Sequence, residues 1–232
     1  MKHYAIILAG GLGQRMDSAV PKQFLALNDK PIIIWAIETF YTSSLFDAII
    51  IAIHPDYHKT LQSLLCDYNI QTTVIITNGG KTRQQSCYNA LCSLQCNDND
   101  IVLIHDAARP FITQTMIQNC INTTVQYGAC GIYTPVKETI AMIKDDSVVE
   151  VLPRHAICAA QTPQCFYYSL IMDAHKKALA HSINDATDDI SLVLIAGHPV
   201  KAITGNYYHN IKITTTEDIA IAQAIINNNL YH

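Results

Sequence analysis

The alternation of short apolar runs with amphipathic stretches is what most limits the folds open to this 232-residue chain. The apolar runs are rich in Ile and Val and nearly continuous, which is typical of strands buried on both faces. Strand and helix in alternation predict an α/β fold, a mostly parallel sheet covered on both sides. Ligands of such sheets bind at the carboxyl ends of the strands. The predicted strands are 5–8, 48–53, 73–77, 101–105 and 130–135, and the predicted helices are 32–41, 57–67, 83–95 and 115–127.

The pattern changes after Pro135. Residues 139–143 and 148–152 flank the polar turn 144–147, and together they predict a β-hairpin. The pattern fits either an arm that reaches a partner or a simple surface flap. The chain then returns to the α/β rhythm, and we predict a single domain over 1–232 with an arm at about 137–155. The elements predicted after the hairpin are helices 169–180, 189–194 and 216–227 and strand 201–204.

Composition excludes several function classes. The net charge is −4 and long basic runs are absent, so general nucleic-acid binding is disfavoured. No apolar run reaches the length of about 18 residues that a membrane span needs, and the first run is too short for a signal peptide, so we expect a cytoplasmic protein without membrane partners. The eight cysteines form no CxxC pair, and we expect them to be reduced, small apolar residues rather than disulfides or metal ligands.

A glycine loop follows the first predicted strand, with the sequence Leu8-Ala9-Gly10-Gly11-Leu12-Gly13-Gln14-Arg15-Met16. Its glycines let backbone N–H groups approach an anion. A ligand-free turn also uses glycine, but such a turn does not need the cations Arg15 and Lys22. The loop has no Gly-Lys-Ser/Thr, and Met16 stands where the dinucleotide fingerprint requires its third glycine. These residues therefore indicate a polyphosphate site of another kind.

A second candidate segment, His105-Asp106-Ala107-Ala108-Arg109-Pro110, follows the fourth predicted strand. Asp106 is placed to hold Mg²⁺ on a bound triphosphate, although an Asp here also suits the cap of a turn. Arg109 either forks onto a phosphate or pairs with Asp106. We expect His105 to be a packed core histidine, because the chemistry proposed below needs no base.

Two more segments carry polar groups that suit phosphate. Gly79 and Gly80 precede a predicted helix whose first N–H groups lack helical partners, and Ser86 either faces a ligand there or bonds within its own helix. Lys212 stands between two isoleucines. If it is half-buried it needs an anion, which a phosphate would supply; otherwise it is a snorkelling lysine on an edge strand.

These segments together resemble the 2-C-methyl-D-erythritol 4-phosphate cytidylyltransferase family. The matching segments occur in the family's order over nearly the whole chain: 8–16, 21–25, 105–110, Gln161-Thr162-Pro163-Gln164 and 210–214. The resemblance implies a three-layer GT-A-like (Rossmann-like) nucleotidyltransferase fold, a homodimer joined by the hairpin arm, and use of CTP with Mg²⁺ or another divalent cation.

The resemblance also implies roles for individual residues. The implied catalytic cations are Arg15, Lys22 and Lys212, and Asp106 is the implied metal ligand. The implied sugar-phosphate residues are Asp106, Arg109, Thr139 and Arg154, of which the last two reach the site of the other subunit. The implied nucleotide-binding residues are Leu8, Ala9, Gly10, Gly11, Gly13, Gly80, Lys81, Arg83, Ser86 and Ala107.

The chain departs from the family pattern at a few positions. Lys81 stands where many members carry Asp or Glu, Gly10 replaces a frequent Ala, and Ile157-Cys158 replaces Leu-Trp. The related D-ribitol 5-phosphate cytidylyltransferases, which make CDP-ribitol for cell-surface polymers, share most of the motifs. Ala108 and Ala160 favour methylerythritol phosphate as the substrate, whereas Gly10 and Phe111 favour ribitol phosphate.

The expected reaction is direct displacement. The sugar phosphate attacks the α-phosphorus of CTP and pyrophosphate leaves, giving 4-diphosphocytidyl-2-C-methyl-D-erythritol for isoprenoid precursor biosynthesis. A regulatory module that binds CTP without turnover is a second interpretation, but it would not need Arg15, Lys22, Asp106 and Lys212 together. An NAD-dependent oxidoreductase is a third, which the missing glycine disfavours.

Overall fold

A computed structural model describes residues 1–11, 20–70, 73–206 and 208–231 of the chain. The strands are β1 (His3–Ala9), β2 (Ala26–Leu27), β3 (Lys30–Pro31), β4 (Ala48–Ile53), β5 (Val74–Asn78), β6 (Ile101–Asp106), β7 (Ala129–Pro135), β8 (Ala141–Lys144), β9 (Ser147–Val151), β10 (Cys158–Tyr167) and β11 (Lys201–Thr204). The α-helices are α1 (Ile32–Thr42), α2 (His58–Asp67), α3 (Arg83–Cys92), α4 (Gln114–Tyr127), α5 (Tyr168–Ala180), α6 (Asp189–Ile195) and α7 (Thr216–Asn227).

A seven-stranded sheet in the order β11-β7-β10-β6-β1-β4-β5 forms the centre of the fold. Its neighbours pair in parallel except around β10, which is antiparallel to both β6 and β7. The predicted mostly parallel α/β architecture is therefore confirmed.

Both faces of the sheet are buried, as the continuous apolar runs predict. Alternate residues of β1 belong to two different cores: Ile7 packs with residues of α1, α2 and α4, and Ile6 packs with residues of α3, α5 and α6. Four of the cysteines, Cys87, Cys120, Cys130 and Cys165, are buried within these cores as small side chains.

Parallel pairing brings the carboxyl ends of β1, β4, β5 and β6 to one edge of the sheet. The connections that leave this edge are tightly held. The N–H of Gly79 donates to the carbonyl of Ile53 at 2.8 Å, and the N–H of Ala107 donates to the carbonyl of Leu8 at 3.0 Å. The glycine segments and Asp106 therefore meet at this edge, as predicted.

Strand β10 is the main element that the sequence did not predict. Its polar stretch Gln161-Thr162-Pro163-Gln164 breaks the apolar pattern, yet all four side chains are buried or nearly so within the sheet. The pairing register with β7 shifts between Ala160 and Gln164, where this stretch bulges. The polar groups find hydrogen-bond partners in distant segments, which a local pattern does not reveal.

The predicted hairpin is present as β8 and β9, which pair only with each other. Asp145 and Asp146 in its turn have positive φ, of 48° and 58°, as a tight hairpin turn requires. Every residue of both strands is exposed, including the apolar Ile143, Val148 and Val149. In the described part of the chain, no helix has the length and apolar character needed to cross a membrane.

Candidate active site

A cleft of about 230 Å³ lies at the carboxyl edge of the sheet. Four cationic side chains and one carboxylate line it among the described residues, so the cleft has the charge balance that suits a polyanion. Its lining consists of Leu8, Ala9, Gly10, Gly11, Lys22, Gln23, Gly80, Lys81, Thr82, Arg83, Ser86, Asp106, Ala107, Ala108 and Lys212. Of the residues predicted from sequence, Gly13 and Arg15 lie outside the described residues.

The end of β1 approaches helix α3 closely at Gly10. A Cβ placed on Gly10 would lie 3.1 Å from Oγ of Ser86, whereas a Cβ on Gly11 would meet nothing within 4 Å. An alanine at position 10 would thus require Ser86 to move by a few tenths of an ångström. The replacement of the family's frequent alanine by Gly10 therefore changes the packing against Ser86.

Gly80 allows the chain to turn tightly into α3. Its N–H donates to Oγ of Ser86 at 2.9 Å, and that hydroxyl donates to the carbonyl of Thr82 at 2.9 Å. A Cβ on Gly80 would overlap Cγ of Gln85 and lie 2.9 Å from the backbone carbon of Gln85, so only glycine fits. Ser86 is therefore bonded within its own helix, the simpler of the two readings above, while it still contributes to the cleft wall.

Asp106 is the centre of charge in the cleft. Its Oδ2 accepts a hydrogen bond from Nζ of Lys212 at 2.7 Å, and its Oδ1 accepts from Nε of Arg83 at 3.2 Å. Burial would raise the pKa of Asp106, but the two cations hold it well below its usual range. The carboxylate is therefore ionised at neutral pH. Lys212 pairs with it although its side chain is 39% exposed, so Lys212 is not the half-buried lysine that would require an anion.

Lys22 lies on the same wall as Lys212. Its Nζ donates to the carbonyl of Ile213 at 2.9 Å, the residue next to Lys212. The neighbouring Gln23 is 3% exposed and donates from Nε2 to the carbonyl of Ala9 at 2.7 Å, which ties the 3₁₀ turn at 22–24 to the end of β1. Gln23 was not predicted as a site residue, and a lone glutamine gives no signal of this kind.

His105 is linked to the backbone of Asp106 through the hydroxyl of Thr162. Its Nε2 lies 3.0 Å from the carbonyl of Arg109, which can only accept, so Nε2 carries the proton and Nδ1 accepts from the Thr162 hydroxyl at 3.1 Å. The same hydroxyl accepts from the N–H of Asp106 at 3.1 Å. Burial lowers the pKa of His105 to about 4, so the ring is neutral at pH 7. His105 is a packed core histidine, as expected.

Three residues expected at the site do not line the cleft. The guanidinium of Arg109 is buried and donates to the carbonyl of Asn210 at 2.7 Å, and no hydrogen bond joins it to Asp106 among the described residues. Thr139 and Arg154 are exposed residues at the base of the hairpin, and Arg154 donates to the carbonyl of Lys137 at 3.2 Å.

The cleft has one carboxylate among its described lining residues, beside several cations. Mg²⁺ prefers one or two carboxylates together with phosphate oxygens. Asp106 therefore fits a divalent cation that arrives with a bound polyphosphate, and its buried, ionised carboxylate is the group that could hold it.

Comparisons with known proteins agree over nearly the full chain. The family model for IspD, 2-C-methyl-D-erythritol 4-phosphate cytidylyltransferase, matches residues 3–228. The protein of that name from Geobacillus kaustophilus is 40% identical over 226 residues, which is 97% of each chain. The one from Clostridium novyi is 39% identical over 98% of this chain and 97% of its own.

Solved structures agree. The structure of 4-diphosphocytidyl-2C-methyl-D-erythritol synthase from Anaerococcus prevotii superposes with a TM-score of 0.85 at 30% identity, covering 97% of this chain and 98% of that chain. The 2-C-methyl-D-erythritol 4-phosphate cytidylyltransferase of Francisella tularensis gives a TM-score of 0.82 at 30% identity, covering 97% and 99%.

Proposed function

Because the chain belongs to the 2-C-methyl-D-erythritol 4-phosphate cytidylyltransferase family, we propose that its cleft joins CTP to 2-C-methyl-D-erythritol 4-phosphate. The products are 4-diphosphocytidyl-2-C-methyl-D-erythritol and pyrophosphate, and the reaction serves the methylerythritol phosphate pathway. The relatives are named for this substrate, so the ribitol phosphate alternative is not favoured. The observation that supports this cleft as the place of the reaction is the group of cations around Asp106 at the carboxyl edge of the sheet.

The reaction needs positioning more than proton transfer. A phosphate monoester has its second pKa at about 6, so the sugar phosphate is already an ionised nucleophile near pH 7. Its oxygen attacks the α-phosphorus of CTP, a new P–O bond forms, and the bond to pyrophosphate breaks. Lys22 and Lys212 lie together on one wall and would hold the two mutually repelling anions and neutralise the charge that builds up. Arg15 belongs to the same proposal.

Asp106 would hold the divalent cation, which when bound neutralises charge on the triphosphate. The support is chemical: an ionised carboxylate at the cleft wall, already surrounded by cations that favour its charged form. The glycines and the start of α3 would contact the nucleotide, and Arg109 would act through the loop that it braces beside Lys212.

We propose in addition that the chain works as a homodimer through the hairpin. Two exposed strands with apolar side chains are marginally stable when they stand alone in water, so a covering surface is expected. Thr139 and Arg154 at the base of the hairpin would then contact the sugar phosphate bound by the other subunit.

Pyrophosphate release tests the proposed function. The protein is incubated with CTP and Mg²⁺ together with either 2-C-methyl-D-erythritol 4-phosphate or D-ribitol 5-phosphate. We expect rapid release with the first substrate and at most slow release with the second. Binding of CTP without release in either mixture would instead support a regulatory module, and preference for ribitol phosphate would overturn the substrate assignment.

A further inference from the structure

A line of hydrogen-bonded polar side chains continues behind Asp106. Arg83 bridges two carboxylates: its Nε donates to Asp106 at 3.2 Å, and its Nη1 donates to Oδ2 of Asp189 at 2.7 Å. Oδ1 of Asp189 in turn accepts from Nε2 of His175 at 3.2 Å. The side chains of Asp189 and His175 are 1% and 0% exposed, and neither lines the cleft.

Asp189 is itself rigidly held. It is the first residue of α6, and its N–H donates to Oε1 of Gln164 at 2.9 Å. The Cys87 thiol lies close to its carboxylate, since the ligand atoms of Cys87, His175 and Asp189 lie within 4.8 Å of one another. A buried carboxylate with two side-chain hydrogen bonds and a fixed backbone is a firm anchor for the planar guanidinium of Arg83, which would otherwise sample several rotamers.

The same residues offer metal-ligand atoms, since Cys87, His175 and Asp189 place theirs within 4.8 Å of one another. A cation at this point would face the guanidinium of Arg83, which lies 2.7 Å from Asp189. The charges are already balanced without a metal ion, because Arg83 and Lys212 match Asp106 and Asp189. The cluster is therefore better explained as a hydrogen-bonded anchor than as a metal site.

We propose that Asp189 and His175 are positioning residues for the reaction: they fix Arg83, and Arg83 orients the carboxylate of Asp106 at the cleft wall. Neither residue touches substrate, and their effect on turnover passes through Arg83. The inference rests on the proposed role of Asp106 in the cleft.

The first test compares Asp189→Asn with Asp188→Asn. Both remove one negative charge from adjacent residues, but Asp188 caps α6 through Ser191 and bonds Gln164 rather than Arg83. Asp188→Asn keeps the cap through Oδ1 and loses only the acceptor of Gln164 Nε2, so it controls for the loss of a negative charge beside Asp189. We expect Asp189→Asn to lower kcat about 10- to 100-fold, because small misplacements of reacting groups have costs of this size, while Asp188→Asn stays within about twofold of wild type.

A double-mutant cycle separates positioning from a general loss of stability. If Asp189 acts through Arg83, adding Asp189→Asn to Arg83→Gln lowers kcat no further. A full additional loss in the double variant would overturn the proposal. In the same way, His175→Gln keeps an N–H donor and should retain more activity than His175→Leu.

A readout without substrates keeps the proposal testable apart from the proposed function. The sequence has four arginines, so the side-chain Nε–H signals can be resolved by NMR, and Arg83→Gln identifies the one from Arg83. We expect this signal to be protected from solvent exchange in the wild type and in Asp188→Asn, and to exchange faster in folded Asp189→Asn. Unchanged protection in Asp189→Asn would overturn the proposal, as would a stoichiometric bound metal ion that this variant loses.

Discussion

At the scale of single residues, hydrogen-bond partners decide what each charged group in the cleft can do. Lys212 holds Asp106 and lies beside the carbonyl bound by Lys22. We predict that Lys212→Met lowers kcat/KM about 10²- to 10³-fold, since it removes a cation placed where charge develops. Steady-state pyrophosphate release measures this effect. Lys201→Met is the control. Lys201 is the first residue of β11, its ammonium lies over the ring of Tyr127, and it does not line the cleft, so this variant should leave the rate unchanged.

His105 gives a pH-dependent contribution to stability. Its pKa is about 4 in the folded chain against 6.5 for a free side chain, because burial disfavours the charged ring. Between these values the unfolded chain binds a proton that the folded chain excludes, so stability is lost as the pH falls. We predict that the free energy of unfolding drops by about 2 kcal/mol more between pH 7 and pH 5 in the wild type than in His105→Gln. Urea unfolding without added metal measures it, and equal pH dependence in the two proteins would contradict it.

The sequence indicates which residues line the cleft better than it indicates the hydrogen-bond partners of those residues. The position of Asp106 after an apolar strand and the isolation of Lys212 between isoleucines were enough to select both. Their mutual hydrogen bond joins residues far apart in the chain and could not be read locally. The sequence predicts Asp189 only as the first residue of a helix. Its contact with Arg83 is what connects it to the cleft.

At the scale of elements, the period of hydrophobicity predicted the regular strands and helices with apolar faces. The strand 48–53 and the helix 216–227 match the structure at both ends, because each is a regular element with a clear signal. Strand β10 escaped because its middle is polar and bulged, and its buried groups are satisfied by distant partners such as Asn210, whose Nδ2 donates to the Thr162 carbonyl. Hydrogen bonds between residues far apart in the chain produce no periodic pattern in the sequence.

The hairpin is the element whose removal is most informative. The N–H of Leu152 donates to the carbonyl of Ile140 at 2.9 Å, so 141–151 can be replaced by an Asn-Gly turn without separating the two ends. Because the hairpin strands are exposed, we expect the shortened chain to keep a Tm close to that of the wild type. We also expect it to be monomeric by light scattering and to lose pyrophosphate release. A fully active monomer would contradict the proposed dimer.

At the scale of the whole molecule, the sheet assembles the cleft from five separate segments of chain. Residues 8–11, 80–86 and 106–108 come together because they follow parallel strands that end at one edge. Residues 22–23 and 212 are held there by hydrogen bonds to Ala9, Ile213 and Asp106. The edge itself followed from the sequence, since the carboxyl ends of such sheets collect ligands. The hydrogen-bonded side chains behind it, which link α3, α5 and α6 to Asp106, did not follow from the sequence.

The central claim is that this cleft brings the sugar phosphate oxygen to the α-phosphorus of CTP. Mass spectrometry of the products tests it most directly, with 2-C-methyl-D-erythritol 4-phosphate carrying ¹⁸O in its phosphate oxygens. Direct displacement predicts that all of the label appears in 4-diphosphocytidyl-2-C-methyl-D-erythritol and none in pyrophosphate. Label in pyrophosphate, or formation of no cytidylylated product, would contradict the account.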